Sequence, residues 1–530
     1  MIAGTMASPS QKIIVTNLAA LRAKYGAGVT TIQTAVAKLV AADKVRGITT
    51  KMINVANAAA MKAVKGSPVT NPQDQKQNKA AIDAIYTALV PDYLMILGSI
   101  DVIPHQDMVN PVFDGSGDPD RMVPGDLPYA CDAPYSTDPT KFIGPTRVVG
   151  RLPDLTGGTD PMVLTGVLAT AEQGKSRPPG DYRDYLGISA QVWSKSSALS
   201  LQKLYGESKG MKTSPTSGPT WTAVQIKRRA HFINCHGAAA KAEFYGQKGQ
   251  AFPIAHTSAF VAGKLSDGTV ASVECCYGAQ LYDPTMWGAL PGLGNTYLSS
   301  GAYGYFGSST ISYGPEDANA FADLICQYFL QRVLAGASLG RAVLEARQQF
   351  AQGSAQLDPY DLKTLAQFNL LGDPSLHPVQ VPSASRLPAT PRGTTAKASG
   401  SGVGREINRA DRRRVLIRRG LEIAATQPVA RRAKRAPGGA IASALRKLAA
   451  ASGMDSGSVL SFDVENPPAT VGATRGGKAL ALLSGRSAPE AFHVMATRED
   501  DPGIPSPQVR AIVAKEVAGK IVSYRMLRSR

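Results

Sequence analysis

The sequence predicts an α/β protein with two side-by-side parallel-sheet subdomains, then a basic linker and a small C-terminal α/β unit. Three observations predict it. Short apolar runs alternate with helix-period segments through residues 10–380, the pattern of parallel strands joined by helical crossovers. The alternation comes in two rounds, the first ending near Pro153 and the second beginning near Tyr185. Beyond residue 380 the composition turns to Ser, Thr, Pro, Gly and Ala, and then to Arg. The expected units are residues 1–155, 156–380, 381–452 and 453–530.

In the first round, residues 12–16 (KIIVT) read as a strand, followed by helical spacing through Leu18, Leu21 and Tyr25. Residues 51–55 read as a second strand. The polar loop SPVTNPQDQKQ leads to a helix over residues 80–89, and YLMIL at 93–97 is a buried strand stopped by Gly98. A short strand at 146–149 ends in a turn, Gly150-Arg151-Leu152-Pro153. In the second round, strands are expected at 186–192, 231–235 (HFINC), 269–275 (TVASVEC) and 302–306 (AYGYF). Helices are expected at 194–204, 317–334 and 339–350, with Gly336 as the stop between the last two. Residues 382–404 have linker composition. Residues 405–448 suit short amphipathic helices interrupted at Pro428 and at Pro437-Gly438-Gly439. In the last unit, strands are expected at 459–464, 491–496 and 521–526, with a helix at 507–518.

Of 530 residues, 43% are apolar and 18% charged, which excludes a wholly disordered chain. The net charge of +18 invites a nucleic-acid function, but its distribution argues otherwise. Residues 381–450 hold 16 Lys/Arg against 3 Asp/Glu, so the main body is nearly neutral. No apolar run is long enough to span a bilayer, and MIAGTMASPSQKIIVTN lacks the pattern of a secretory signal. The five cysteines fit no disulfide scaffold or zinc module. A reducing, cytoplasmic setting is the expectation.

The chemistry centres on His236 and Cys276, each just past the C-terminal end of an expected buried strand, where open parallel sheets bind ligands. A thiol nucleophile needs a neighbour that favours thiolate, and an imidazole supplies one. Gly237 allows close approach of a substrate carbonyl, and the N–H groups of Gly237 and Cys276 are candidate oxyanion donors. The competing reading is that both are ordinary buried residues. A third collects His231, Cys235, His236, Cys275 and Cys276 around zinc, at spacings foreign to zinc modules.

The blocks INCHG (residues 233–237) and VECCYG (273–278) resemble the two signature blocks of caspase-fold cysteine peptidases, with His before Cys. Within that group the chain resembles the gingipain-like branch over roughly residues 10–380. PDYLMILGSIDVIP (91–104), DLPYACD (126–132) with VVGRLPD (148–154), GAYGYFGSS (301–309) and FNLLGDPSL (368–376) complete the set in order. The resemblance implies two α/β subdomains, the second carrying a Cys276–His236 dyad that cleaves peptide bonds, and no obligatory cofactor. Calcium occurs in some relatives, but no ligand cluster here places a site. It also implies a bacterial protease with few targets. Gingipains are secreted with a propeptide and have no counterpart of the Arg-rich segment.

Family members that cleave after Arg or Lys use an acidic residue in the primary pocket. By its place after Asp-x-x-Tyr, Asp132 is the candidate, with Asp126 and Asp101 as alternatives; each also suits a turn cap. The same resemblance places Gly278 and Tyr282 at the cleft. Arg151 and Asp373, in Gly-Arg-x-Pro and Leu-Gly-Asp-Pro, read as turn residues, and His105 and His231 as structural. The basic segment from Arg405 to Arg435 reads as a solvated linker, as a contact for a polyanion, or as a site of autoprocessing. The alternative for the whole chain is a peptidase-like scaffold that no longer cleaves and whose basic tail binds nucleic acid or another polyanion.

Overall fold

The computed structural model describes residues 10–380, 409–434, 436–455, 457–466, 489–500 and 503–530. The linker-like stretch at 382–404 lies outside them. The strands used below are β1 (Ser10–Thr16), β2 (Ile48–Asn54), β3 (Tyr93–Leu97), β4 (Val149–Leu152), β5 (Tyr185–Ala190), β6 (Met211–Ser214), β7 (Ala230–Asn234), β8 (Val270–Val273), β9 (Gly304–Ser308), β10 (Tyr313–Gly314) and β11 (Phe368–Gly372). They continue with β12 (Val429–Arg432), β13 (Val459–Glu465), β14 (Glu490–Glu499), β15 (Gln508–Val517) and β16 (Lys520–Ser529). The helices used are α1 (Leu18–Tyr25), α2 (Ser194–Tyr205), α3 (Ala322–Leu334), α4 (Leu339–Gly353), α5 (Arg409–Thr426) and α6 (Gly439–Ala451).

The strand–helix alternation produces a mixed α/β fold around one ten-stranded sheet, ordered β2-β1-β3-β4-β11-β9-β8-β7-β5-β6. The two rounds occupy its two ends. They meet at β11, which runs parallel to β4 and antiparallel to β9. The strands are apolar on both faces because helices cover both, as parallel sheets require. Helix starts follow local chemistry: Asn17 accepts from the N–H groups of Ala19 and Ala20 to open α1, and Ser338 caps α4 through the N–H of Arg341.

Two elements differ from expectation. The strand expected at 146–149 instead runs from Val149 to Leu152, so Arg151 sits within β4 and not in a turn. Its guanidinium is buried against Asp126, with Nη2 2.6 Å from Oδ1, and it also donates to the carbonyls of Gly98 and Ile103. The helix expected at 507–518 is a strand, β15. Both of its faces are covered: Val509, Ala511 and Val513 pack in one cluster, and Ile512 and Ala514 in another with Leu445 of α6. β-Branched residues buried on two faces favour a central strand, and that tertiary setting overrides the helical spacing.

Five strands between Val429 and Ser529 join β10 in a six-stranded sheet ordered β10-β16-β15-β14-β13-β12. Its edge strand β12 and the helix α6 fall inside the stretch read as a basic linker and helical segment, 381–452. Its other edge is closed by β10, a strand of the main body. Helix α5 lies against the body: Gln348 Nε2 donates to Leu416 O, and Arg413 Nη1 to Val90 O. Arg431 pairs with Asp138 at 2.9 Å, so part of the basic segment neutralises the body's own acids. Among the described residues, no helix is long and apolar enough to cross a membrane.

Candidate active site

β7 and β8 are adjacent and parallel, in register from Ala230↔Val270 to Ile233↔Val273. The ladder continues one step, with Glu274 N–H donating to Ile233 O at 2.9 Å. Residues just beyond the two strands therefore emerge side by side at the C-terminal edge, which brings the backbones at His236-Gly237 and Cys276 together. The two loops touch at Gly237, where a Cβ would lie 1.8 Å from the carbonyl oxygen of Cys276; only glycine fits. The neighbouring cysteines part company. Cys275 is buried in the main core, its Sγ accepting from Cys235 N–H, whereas Cys276 packs with Ile311, Tyr313 and Phe321 under the C-terminal sheet.

His236 is fully buried, its ring centre 4.4 Å from that of Trp193 and tilted 56° to it. Its Nε2 lies 2.7 Å from Gln247 Oε1, while Gln247 Nε2 donates to Gly249 O. That second bond fixes the amide's orientation, so Nε2 of His236 carries the hydrogen and Nδ1 the lone pair. Nδ1 has no hydrogen-bond partner. Burial pushes His236 down to about 3, the bond to Gln247 opposing and the charges of Arg528 and Arg530 assisting. Cys276 Sγ accepts from Ser312 N–H at 3.3 Å; burial pushes this thiol up to about 12, against the pull of Ser312 and Lys363. In this covered state both groups are neutral.

Beside them lies an acidic pocket holding Arg530. The guanidinium is fully buried: Nη2 is 2.7 Å from Asp323 Oδ2, Nη1 is 3.2 Å from Glu274 Oε2, and Nη1 also donates to Asn234 Oδ1. Its Cζ lies 5.0 Å from the centre of the Trp193 ring, which His236 also packs against. Gly314 forms the floor, since a Cβ there would lie 1.8 Å from Arg530 Nη2. Burial raises the carboxyl groups of both Glu274 and Asp323, and the guanidinium opposes that rise. Two adjacent buried carboxylates are costly unless a cation sits between them.

The acidic residues expected in a pocket lie elsewhere. Asp126 holds Arg151; burial raises its carboxyl, but the guanidinium and His105 outweigh this and hold it below the usual range. Asp132 is 3.0 Å from Arg147 Nη2, and Asp101 is 2.7 Å from Lys24 Nζ. None of the three contacts Arg530. Gly278 O accepts from Tyr305 at 2.8 Å, and Tyr282 donates to Leu290 O at 2.6 Å. His231 sits between Tyr297 and Arg228 O, and Asp373 pairs with Lys12 at 2.7 Å. Among the described residues, no group of three or more His, Cys, Asp or Glu is arranged to hold a metal ion.

Sequence reading missed Gln247, Trp193, Asn234, Glu274, Asp323 and Gly314. For two of them a signal existed. Asn234 and Glu274 each stand two residues before His236 and Cys276, and in extended backbone positions i and i+2 share a face.

The family model described as peptidase family C25 matches residues 9–379. No curated protein matches. A solved structure described as "Structure of Protease" is 12% identical, with a TM-score of 0.46, the match covering 99% of this chain and 98% of that one.

Proposed function

This chain belongs to peptidase family C25, the gingipain family, and is a cysteine-type peptidase acting on protein substrates; we propose that it is an endopeptidase that cleaves after arginine through Cys276 and His236. The observation that carries the specificity is the seat of Arg530, a guanidinium between two buried carboxylates beside the dyad. The two Nη groups donate to separate acceptors, Asn234 and Asp323, with Glu274 at ion-pair distance, and that spread suits arginine better than the compact ammonium of lysine.

The mechanism follows from the neighbours of each atom. When the cleft admits substrate, Nδ1 of His236 takes the thiol proton and Cys276 Sγ attacks the carbonyl carbon. The Gly237 and Cys276 N–H groups receive the developing oxyanion. The imidazolium gives its proton to the leaving amine, and a thioester remains on Sγ. A water, deprotonated by Nδ1, then attacks the thioester, the thiol is re-formed and the acid is released. Gln247 keeps the hydrogen on Nε2 throughout. Self-cleavage would fall outside α5, because Arg412, Arg413, Arg414, Arg418 and Arg419 lie on a helix and a protease takes its substrate extended.

The test is a set of fluorogenic peptides differing only at the residue before the cut. Arginine should be preferred over lysine and alanine, and Cys276→Ala should abolish turnover. Glu274→Gln should lower kcat/KM for the arginine peptide by roughly 30-fold or more, the cost of one partner of a buried charged pair. Equal cleavage after alanine and arginine would overturn the assignment. Intact mass of the wild type beside Cys276→Ala shows whether the chain cuts itself.

A further inference from the structure

We propose that β16 and Arg530 are a built-in pseudosubstrate, which keeps the peptidase latent by occupying the cleft its targets must enter. The inference rests on the assignment of His236, Cys276 and the acidic pocket above. Three independent features support it.

The first is backbone geometry. β16 adds to β10 as an antiparallel strand, pairing Ser529 with Tyr313 and Arg528 with Gly314, and Arg530 N–H donates to Ser312 O at 3.0 Å. An extended peptide added to a sheet edge is how a protease commonly holds its substrate. Ser312, which receives this bond, is also the residue whose N–H reaches Cys276 Sγ at 3.3 Å. The occupying strand is thus registered directly on the nucleophile.

The second is chemistry. The side chain presented at that register is an arginine, and it fills the pocket of Asn234, Glu274 and Asp323 with its guanidinium wholly buried. The third is coverage. Cys276 is 1% exposed and His236 0%, so no peptide reaches them in this arrangement. The cover is anchored outside the pocket: Arg525 pairs with Asp358, and Arg528 Nη1 lies 3.0 Å from Glu316 Oε1. Because the occupant is tethered, a competing peptide faces an effective concentration in the millimolar range. Substrate alone therefore competes poorly, and activity requires that β16 be displaced.

The experiment compares the full-length wild type with Arg530→Glu, which sets a third carboxylate against Glu274 and Asp323 and expels the strand. Arg530→Ala is the milder second variant should the first fail to fold, as judged by its thermal melt. Iodoacetamide labelling of Cys276, located by peptide mapping, is read in parallel with hydrolysis of an arginine peptide. We expect labelling to rise at least tenfold in the variants. Equal labelling of wild type and of a folded variant overturns the pseudosubstrate. Hydrolysis separates the two claims: faster labelling with no hydrolysis by any variant supports the occupied cleft and removes the arginine-peptidase assignment. Faster labelling with a tenfold gain in kcat/KM supports both.

Discussion

At the scale of single residues, the site is defined by what its groups are denied. Burial pushes Cys276 up to about 12 and His236 down to about 3, so the covered thiol is un-ionised and the imidazole uncharged near neutrality. With its pKa above the working range, the thiolate fraction should grow tenfold for each pH unit. Alkylation of wild-type Cys276 should therefore climb without a plateau between pH 7 and pH 10. In Arg530→Glu the profile should level off at lower pH; a plateau below pH 9 in the wild type would contradict the buried state described here. Gly314 makes a second residue-scale prediction. A methyl group there would sit 1.8 Å from the guanidinium, so Gly314→Ala should close the pocket to arginine. Turnover of arginine peptides should fall at least tenfold even when Arg530 is replaced as well, which separates the pocket from its occupant. The His-Gly and Cys positions were legible because strand ends are. Asp323 and Arg530 carry no local signal, since each reaches the site only through tertiary folding.

Among the elements, β15 explains why the C-terminal unit was harder to read than the body. The segment QVRAIVAKEV has apolar residues at both strand and helix spacing, and periodicity alone does not choose between them. The choice comes from partners distant in sequence: β14 on one side, β16 on the other, and α6 across one face. Ile512 is 0% exposed at the centre of that strand. Ile512→Ala should cost roughly 2–5 kcal/mol in the stability of this sheet, the usual range for a large-to-small change in a core. Because β15 holds β16 along its length, the same change should raise Cys276 labelling by iodoacetamide below the melting temperature. If denaturant melts show the loss of stability but labelling stays at the wild-type rate, β16 is held by the pocket alone and not by its sheet.

For the whole molecule, charge acts through a few long-range ties more than through the net +18 of the sequence. The basic segment reads in sequence as a solvated linker, a polyanion contact or a site of autoprocessing, yet its Arg413 and Arg431 are engaged with the body, and Arg530 farther on is buried in an acidic pocket. The body has its own tie. Lys12 on β1 is fully buried between Asp43, at 2.5 Å, and Asp373, at 2.7 Å, the latter just past the end of β11. It links β1 to the strand that joins the two rounds of the sheet. The sequence showed Asp373 only as part of a turn, because nothing local reveals a partner 361 residues away. Removing one member of a buried pair typically costs 3–5 kcal/mol, since the other is left charged without compensation. Lys12→Ala should accordingly lower the melting temperature of the full chain. At 25 °C, however, Cys276 labelling should remain as slow as in the wild type, because Lys12 ties strands of the body and leaves the pairing of β10 with β16 untouched. A Lys12→Ala protein that melts like the wild type would show that this ion triad adds no net stability. One that exposes Cys276 while still folded would show that the latch depends on the far side of the ten-stranded sheet.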